Sequence, residues 1–191
     1  VMAQRFDGAG VAQGDAFRVN TVTGNNQFLS RVAMDAEGDY VIVWDSMNQD
    51  GEYDGVFGQR YDAAGIAEGD EFRVNTTTVS FQQFPAVAMD ADGDFVVTWT
   101  GSGQEGISGD AVFAQRYNAA GVAQGGEFKV NTYTPGTQNR STIAMDAAGD
   151  FVIAWTSSYQ DVVNGGSYVQ RYTAAGSTQG AEFRVNTTTV N

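Results

Sequence analysis

A unit of about 55 residues is repeated along the chain, and this repeat limits the fold more than any other feature. The tripeptide Gln-Arg-Phe or Gln-Arg-Tyr occurs four times, at spacings of 55, 56 and 55 residues, beginning at Gln4, Gln59, Gln115 and Gln170. A Phe-Arg/Lys-Val-Asn-Thr segment follows each copy, beginning at Phe17, Phe72, Phe128 and Phe183. An Ala-Met-Asp triplet precedes a tryptophan three times, at Trp44, Trp99 and Trp155. Repetition at a fixed period of this length is typical of solenoids, propellers and other arrays.

Each unit predicts four short strands. In the second unit they cover residues 85–90, 95–99, 111–117 and 127–131, and Gly93 lies in the tight turn between the first two. No segment has a sustained apolar period of 3.6 residues, so helix is not expected. A string of 55-residue sandwiches would be marginally stable, and solenoid coils usually have shorter periods. We therefore expect an all-β fold, a β-propeller-like array of four-stranded antiparallel blades, with three full blades and a half blade.

The repeat also suggests boundaries. Residues 1–22 are expected to form the outer strands of a partial blade, followed by blades at 25–77, 80–132 and 136–188. Closed propellers typically contain about four to eight blades, so three and a half blades are too few for a ring. We therefore expect the chain to be a section of a longer polypeptide. Its expected partners are further blades, either from that longer chain or from neighbouring copies in a filament or ring.

Composition excludes several chemistries. The 191-residue chain has no Cys and no His, which excludes thiol nucleophiles, Ser-His-Asp triads and the usual zinc sites. A net charge of -13 argues against nucleic acid as a partner, because phosphates attract clustered Lys and Arg. No apolar run approaches the roughly 18 residues of a membrane span, so membrane insertion is not expected.

The repeated residues resemble those of a known class of proteins. The segments that carry the resemblance are 72–76, 85–88, 92–97 and 112–117, together with Trp99. This pattern is similar to tandem repeats of very large, acidic, secreted bacterial proteins of the repeats-in-toxin and adhesin type. The resemblance implies an extracellular or cell-surface location, many copies of the unit, and calcium elsewhere in the parent protein.

Two carboxylate-rich turns are the candidate metal sites. They contain alternating acids next to a glycine, as calcium loops often do, and the candidate ligands are Asp35, Glu37, Asp39, Asp90, Asp92 and Asp94. The third unit has Ala148 in place of the middle acid, and these turns are shorter than an EF-hand loop. The favoured interpretation is that the first Asp caps the turn through its own backbone. No cofactor is expected to be required, and calcium is the candidate ion.

Most basic residues occupy repeated positions. Eight of the ten lie at two positions of the unit: Arg5, Arg60, Arg116 and Arg171, and Arg18, Arg73, Lys129 and Arg184. A residue that recurs in every unit serves what every unit needs, so we expect these side chains to bind nearby carboxylates or carbonyls of the next blade. The three tryptophans are expected to be core residues by the same argument.

The loops that differ between units are the candidate ligand-binding elements, because binding residues concentrate in variable loops on a rigid scaffold. They carry six aromatic residues among amides and acids: Phe28, Tyr53, Phe81, Phe84, Tyr133 and Tyr159. Aromatic rings with polar neighbours suit sugars, which makes glycans candidate partners. The alternative is that these rings fold back over the ends of the blades.

Three functions follow from these features. The first is a non-enzymatic structural or adhesive repeat module of a secreted or cell-surface bacterial protein. The alternative is a carbohydrate-binding, lectin-like propeller face, assisted by calcium. The third, a glycosidase that uses paired carboxylates, is disfavoured because the sequence shows no unrepeated cluster of Arg, Tyr and acid. The chain is therefore not expected to be an enzyme.

Overall fold

The computed structural model describes residues 1–51, 53–104, 109–160 and 165–187, and these form β-strands and turns without α-helix. Strands β1 (Met2–Ala3) and β2 (Phe17–Arg18) pair in a two-stranded sheet, the half-sheet. Blade 1 contains β3 (Gln27–Met34), β4 (Tyr40–Met47), β5 (Asp54–Tyr61) and β6 (Ala67–Arg73). Blade 2 contains β7 (Gln82–Met89), β8 (Phe95–Ser102), β9 (Asp110–Tyr117) and β10 (Phe128–Lys129). Blade 3 contains β11 (Gln138–Met145), β12 (Phe151–Ser157), β13 (Gly166–Tyr172) and β14 (Phe183–Arg184).

Strands in each blade lie in sequence order and pair antiparallel with their neighbours. The predicted all-β, propeller-like array of three full blades and a half blade is confirmed. No helix among the described residues has the length and apolarity that a membrane crossing requires.

The first strands lie side by side at the centre of the array, because β7 contacts both β3 and β11. Next to them, the second strands of blades 1 and 2 are buried on both of their faces, whereas β12 of blade 3 alternates between buried and more exposed residues. β4 is buried from Tyr40 to Ser46, and β8 from Phe95 to Gly101. A strand covered on both faces reads as a continuous apolar run rather than an alternating one, which explains segments such as Phe95–Trp99.

The apolar core lies between successive sheets rather than inside any one of them. At the junction of blades 1 and 2, Val41 and Val43 pack in one cluster with Trp99 and Phe113. The Trp99 side chain is fully buried, and its indole N–H donates to Gln82 Oε1 at 3.0 Å. Trp44 and Trp155 are buried in the equivalent clusters on either side, which confirms the tryptophans as core residues. Each sheet therefore depends on its neighbours for burial.

The repeated arginines of the third strands join neighbouring blades. Arg60 Nη1 donates to the carbonyl oxygen of Ala119, and Arg116 Nη1 donates to that of Ala175 at 2.7 Å. These bonds confirm the packing role predicted for these two residues. Gly121 makes the approach possible, because a Cβ there would lie 2.7 Å from Arg60 Nε and its φ of 75° is one that other residues rarely adopt.

A second ladder of hydrogen bonds joins the outer strands. Glu71 Oε2 accepts from the backbone N–H and the hydroxyl of Thr21 at 2.7 and 2.9 Å. Glu127 Oε2 accepts the same two bonds from Thr76, both at 2.8 Å. At these two junctions one carboxylate thus satisfies two donors of the preceding sheet, and at the next junction Glu182 Oε2 accepts from the backbone N–H of Thr132 at 2.7 Å.

Replacing Glu127 with Ala is expected to lower the free energy of unfolding by about 1 kcal/mol, because two solvent-exposed hydrogen bonds from Thr76 to a charged acceptor are lost between blades. Urea denaturation measures the change. Glu37→Ala, at an exposed turn position, is the control and is expected to stay within about 0.5 kcal/mol of the parent chain. Equal losses for the two variants would contradict the role of the outer ladder.

Candidate functional site

The carboxylate turns bind their own backbone. Asp35 Oδ1 accepts from the N–H groups of Glu37 and Asp39 at 3.0 and 2.9 Å, and Asp90 Oδ1 does the same for Asp92 and Asp94. The last acid of each turn reaches the next turn of its own blade: Asp39 Oδ1 accepts from Ala63 N–H and Asp94 Oδ1 from Ala119 N–H, both at 2.8 Å. Burial raises the pKa of Asp90, against the lowering effect of these backbone bonds.

These bonds are those of the favoured interpretation, in which the first Asp caps its turn through its own backbone. Within the described ranges, no group of three or more Asp, Glu, His or Cys residues is placed to hold a metal ion. The six predicted ligands are therefore not grouped as a metal site. The side chains of Asp35, Asp39, Asp90 and Asp94 accept bonds from backbone N–H groups of the turns, whereas Glu37 and Asp92 contribute their own backbone N–H groups.

Four of the six loop aromatics form two pairs of neighbours. The rings of Tyr53 and Phe81 lie with centroids 4.7 Å apart, and both side chains are exposed. Tyr133 Oη donates to the carbonyl oxygen of exposed Tyr159 at 2.9 Å. Phe28 is exposed at the start of β3. These aromatics thus leave exposed ring surface at the loop end of the array.

The sixth aromatic, Phe84, lies deeper, in a strained bulge that recurs in every blade. The first strands change register between Phe28 and Arg31, between Gln83 and Ala86, and between Asn139 and Thr142. In each bulge a non-glycine residue adopts a left-handed φ: 52° at Leu29, 58° at Phe84 and 54° at Arg140. Such conformations are uncommon and cluster at functional sites, as bulges also do. The three bulges lie on adjacent central strands.

Asp45 lies directly beside the bulge of the next blade. It follows Trp44 on β4, its side chain is fully buried, and its Oδ2 accepts from the backbone N–H of Phe84 at 3.2 Å. Its Oδ1 is buried and has no hydrogen-bond partner in the part of the chain that the structure describes. Burial raises the pKa of Asp45 from 3.8 to about 8; the nearby charge of Asp54 raises it further, while the Phe84 bond and Arg31 oppose the shift. The carboxyl therefore holds a proton at neutral pH.

The fold does not need a carboxyl group at this position. At the next junction, Thr100 occupies the equivalent place after Trp99, and its hydroxyl oxygen accepts the corresponding bond from Arg140 N–H at 3.1 Å. The third unit also has a threonine there, Thr156. A hydroxyl thus makes the bond between blades, and Asp45 adds a buried acidic oxygen that this bond does not use.

Charged, amide and aromatic groups surround Asp45. Asp54, at the start of β5, is buried and accepts a hydrogen bond from Gln83 Nε2 of blade 2. Arg31 lies on β3 and is exposed, and the Arg140 guanidinium lies 5.7 Å from the centre of the Phe84 ring. The junction of blades 1 and 2 therefore carries two acids and an amide, with an arginine on either side.

This group includes three residues that the repeat does not share, Arg31, Asp45 and Arg140, but no tyrosine, so it differs from the cluster of Arg, Tyr and acid considered above. Arg31 and Arg140 are the two basic residues outside the repeated positions, and both lie on central strands. The signal in the sequence is the break in the repeat. Arg31 aligns with Ala86 and Thr142, and Asp45 with threonines.

Comparison with known proteins shows which solved structures share this fold. No protein-family model and no curated protein sequence matches the chain. An endo-arabinase from Bacteroides thetaiotaomicron is similar in structure, with a TM-score of 0.50 and 14% identity over 84% of this chain and 62% of that one. An α-L-arabinofuranosidase from Lactobacillus brevis gives 0.52 and 11% over 91% of this chain and 67% of that one. A Hadza microbial sialidase gives 0.53 and 10% over 80% and 36%. The chain thus spans less than two thirds of the length of the first of these enzymes.

These neighbours support the propeller fold and contradict two sequence-based expectations. The matched proteins are carbohydrate-active enzymes, whereas the sequence predicted a non-enzymatic structural or adhesive module, with a lectin-like face as the alternative. That prediction, and the expectation that the chain is not an enzyme, are therefore wrong. The sequence-based expectation did not include Asp45, Arg31 and Arg140, which break the repeat.

Proposed function

We propose that this chain is part of a propeller that cleaves glycosidic bonds, with its reacting groups at the junction of blades 1 and 2. The observation that carries the proposal is the Asp45 carboxyl group. It is fully buried, its Oδ1 has no hydrogen-bond partner among the described residues, and its pKa is raised to about 8. A general acid works best when its pKa lies near the pH of the reaction, and glycoside cleavage requires such a carboxylic acid near the leaving oxygen.

Two carboxyl groups divide the chemistry. Asp45 donates its proton to the glycosidic oxygen as the bond from that oxygen to the sugar carbon breaks. Asp54, whose charge influences Asp45, is the second carboxylate, which activates water or forms a bond to the sugar. Asp45 is covered by the Phe84 bulge, so substrate has to displace the bond from Phe84 N–H to reach it. The left-handed backbone at Phe84 makes that segment a reasonable place for such a change.

The aromatic loop end provides the binding surface in this proposal. Sugar rings present an apolar face to aromatic side chains and hydroxyl groups to amides and acids. Tyr53 and Phe81 form a paired, exposed platform at the junction of blades 1 and 2. The enzymes of similar fold are, by name, an arabinase, an arabinofuranosidase and a sialidase, which suggests the substrates to test.

Incubation of the folded chain with arabinan, an α-L-arabinofuranoside and a sialoside tests the proposal. We expect sugar release from at least one of the three, measured as reducing ends or free sialic acid. A folded chain that releases no sugar from any of them, over a range of pH, would overturn the proposed function.

Replacing Phe81 with Ala is expected to raise KM on the active substrate by about fivefold with little change in kcat, because stacking on an aromatic ring contributes about 1 kcal/mol. Steady-state kinetics separates the two constants. Phe183→Ala, an exposed aromatic on the outer strand of blade 3, is the matched control and is expected to keep the parent KM. The same KM for all three proteins would remove the platform from the proposal.

The extracellular location, the kinship with secreted bacterial repeats and the binding of calcium remain proposals. The extracellular location and the kinship with secreted bacterial repeats follow from the sequence resemblance alone. Calcium binding is checked by the shift of the melting temperature between calcium and a chelator.

A further inference from the structure

A groove separates the half-sheet from blade 1. It has a volume of about 740 Å³, and its lining includes Met2 and Phe6 on one side and Val32 and Met34 of β3 on the other. All four of these side chains are exposed. We call this surface the half-sheet groove.

The repeat provides an internal standard for this exposure. Val32 and Met34 align with Val87 and Met89 of blade 2, which pack against the core cluster shared with blade 1. The corresponding Ile143 and Met145 of blade 3 pack against the cluster shared with blade 2. In blade 1 the side chains of Val32 and Met34 are instead 61% and 58% exposed. The same face of the first strand is covered in blades 2 and 3 and exposed in blade 1.

The half-sheet shows which strands are missing opposite that face. Met2 pairs with Arg18 and Ala3 with Phe17, just as Phe57 pairs with Arg73 and Gly58 with Phe72 in blade 1. β1 and β2 thus correspond to the third and fourth strands of a blade. In the full blades the third strand also pairs with a second strand, whereas among the strands that the structure describes β1 pairs with β2 alone.

The aromatic pairs define the chemistry of the missing strand. Tyr40 stacks on Tyr61, Phe95 on Tyr117, and Phe151 on Tyr172, with centroids 5.0, 4.8 and 4.8 Å apart. In the half-sheet, Phe6 occupies the place of the second ring of each pair and is exposed. Met2 occupies the place of Phe57, which lies opposite Trp44.

We propose that the half-sheet groove binds a two-stranded antiparallel hairpin of the same repeat type. Its second strand pairs with β1, places Phe or Tyr on Phe6, and places a Trp against Met2. Its first strand covers Val32 and Met34, as β3 covers the side of β7. Continuity with the interfaces already present at both later junctions identifies the occupant. Polar side chains such as Arg5 and Glu37 also line the groove, but its exposed apolar side chains Met2, Phe6, Val32 and Met34 lie at the positions that a strand of the repeat covers at the later junctions. The inference does not depend on the proposed enzymatic function.

The test adds the hairpin to the chain. A second copy of residues 82–111 is placed directly before Val1, which continues the repeat in register. Oxidation of individual methionines by peroxide is then followed by mass spectrometry. We expect oxidation of Met34 to slow by about tenfold or more relative to the parent chain. Met47, which is exposed at the far end of β4, is the internal control and is expected to react at the parent rate.

Two variants sharpen the result. Aspartate in place of the residues of the added copy that correspond to Phe95 and Trp99 is expected to abolish protection of Met34. Val32→Glu, a change at an exposed position, is expected to do the same. Met34 oxidised at the parent rate in the extended chain would overturn the proposal. Protection of Met34 in the parent chain that increases with protein concentration would also overturn it, because a second copy would then be the occupant.

Discussion

Replacing Asp45 with Asn is expected to lower kcat on the active glycan by about 10²–10⁴-fold, the usual contribution of a general acid. The amide oxygen can still accept the bond from Phe84 N–H, but the side chain no longer has an acidic proton to donate. Initial rates on a substrate with a poor leaving group measure the loss, because such a substrate needs protonation most.

The chain itself supplies the controls for this experiment. Asp45→Thr introduces the residue found at the two equivalent positions, where Thr100 makes the bond between blades, so it tests the carboxyl group without removing that bond. It is expected to lose activity as severely as Asp45→Asn. Asp110→Asn changes the acid of blade 2 that aligns with Asp54 and accepts from Ser102 Oγ, and it is expected to retain activity. Parent-like turnover by a folded Asp45→Thr variant would contradict the assigned role.

The stability of the folded protein is expected to fall as pH rises from about 4 to about 8. Burial raises the pKa of Asp45 from 3.8 to about 8, so across this interval the folded chain keeps a proton that the unfolded chain has released. Each pH unit then costs about 1.4 kcal/mol of unfolding free energy from this group. The contribution is complete below the unfolded pKa and is lost once pH passes the folded pKa.

Urea denaturation of the parent chain and of Asp45→Asn at pH 5, 6.5 and 8 measures this dependence. The raised pKa of Asp90 and the net charge of -13 act in both proteins, so the difference between them isolates Asp45. We expect Asp45→Asn to be the less pH-dependent protein and to gain relative stability toward pH 8. Parallel curves would show that Asp45 titrates normally.

The repeated residues account for the parts of the fold that the sequence predicts well. Trp99, Arg60 and Gly121 recur because every junction needs a buried aromatic, a bond to the next blade and room for that bond. Strand ends were less predictable. The second strand of blade 2 continues from Phe95 to Ser102, beyond the expected end at Trp99, and its first strand begins at Gln82 rather than 85.

The central bulges could not be read from the sequence. They place ordinary residues such as Leu29 and Phe84 in a left-handed conformation that neither residue favours on its own, so packing between neighbouring first strands has to impose it. The sequence therefore predicts a loop at Gln82 to Phe84, although these residues belong to β7.

The candidate site was missed for a related reason. The raised pKa of Asp45 depends on burial beneath a segment 39 positions away along the chain, and no local pattern reports such a contact. The residue types nevertheless carried a signal, since Asp45, Arg31 and Arg140 all break the repeat. The loop aromatics were found because exposed rings in variable loops are a local property.

Direct titration of the Asp45 carboxyl group tests the central claim. Carbon-13 NMR of labelled aspartate side chains, with Asp45→Asn used to assign the resonance, gives its pKa in the folded chain. The structure predicts a value near 8, with the carboxyl group protonated at neutral pH. A value near 4, the ordinary range of an aspartate, would contradict the account.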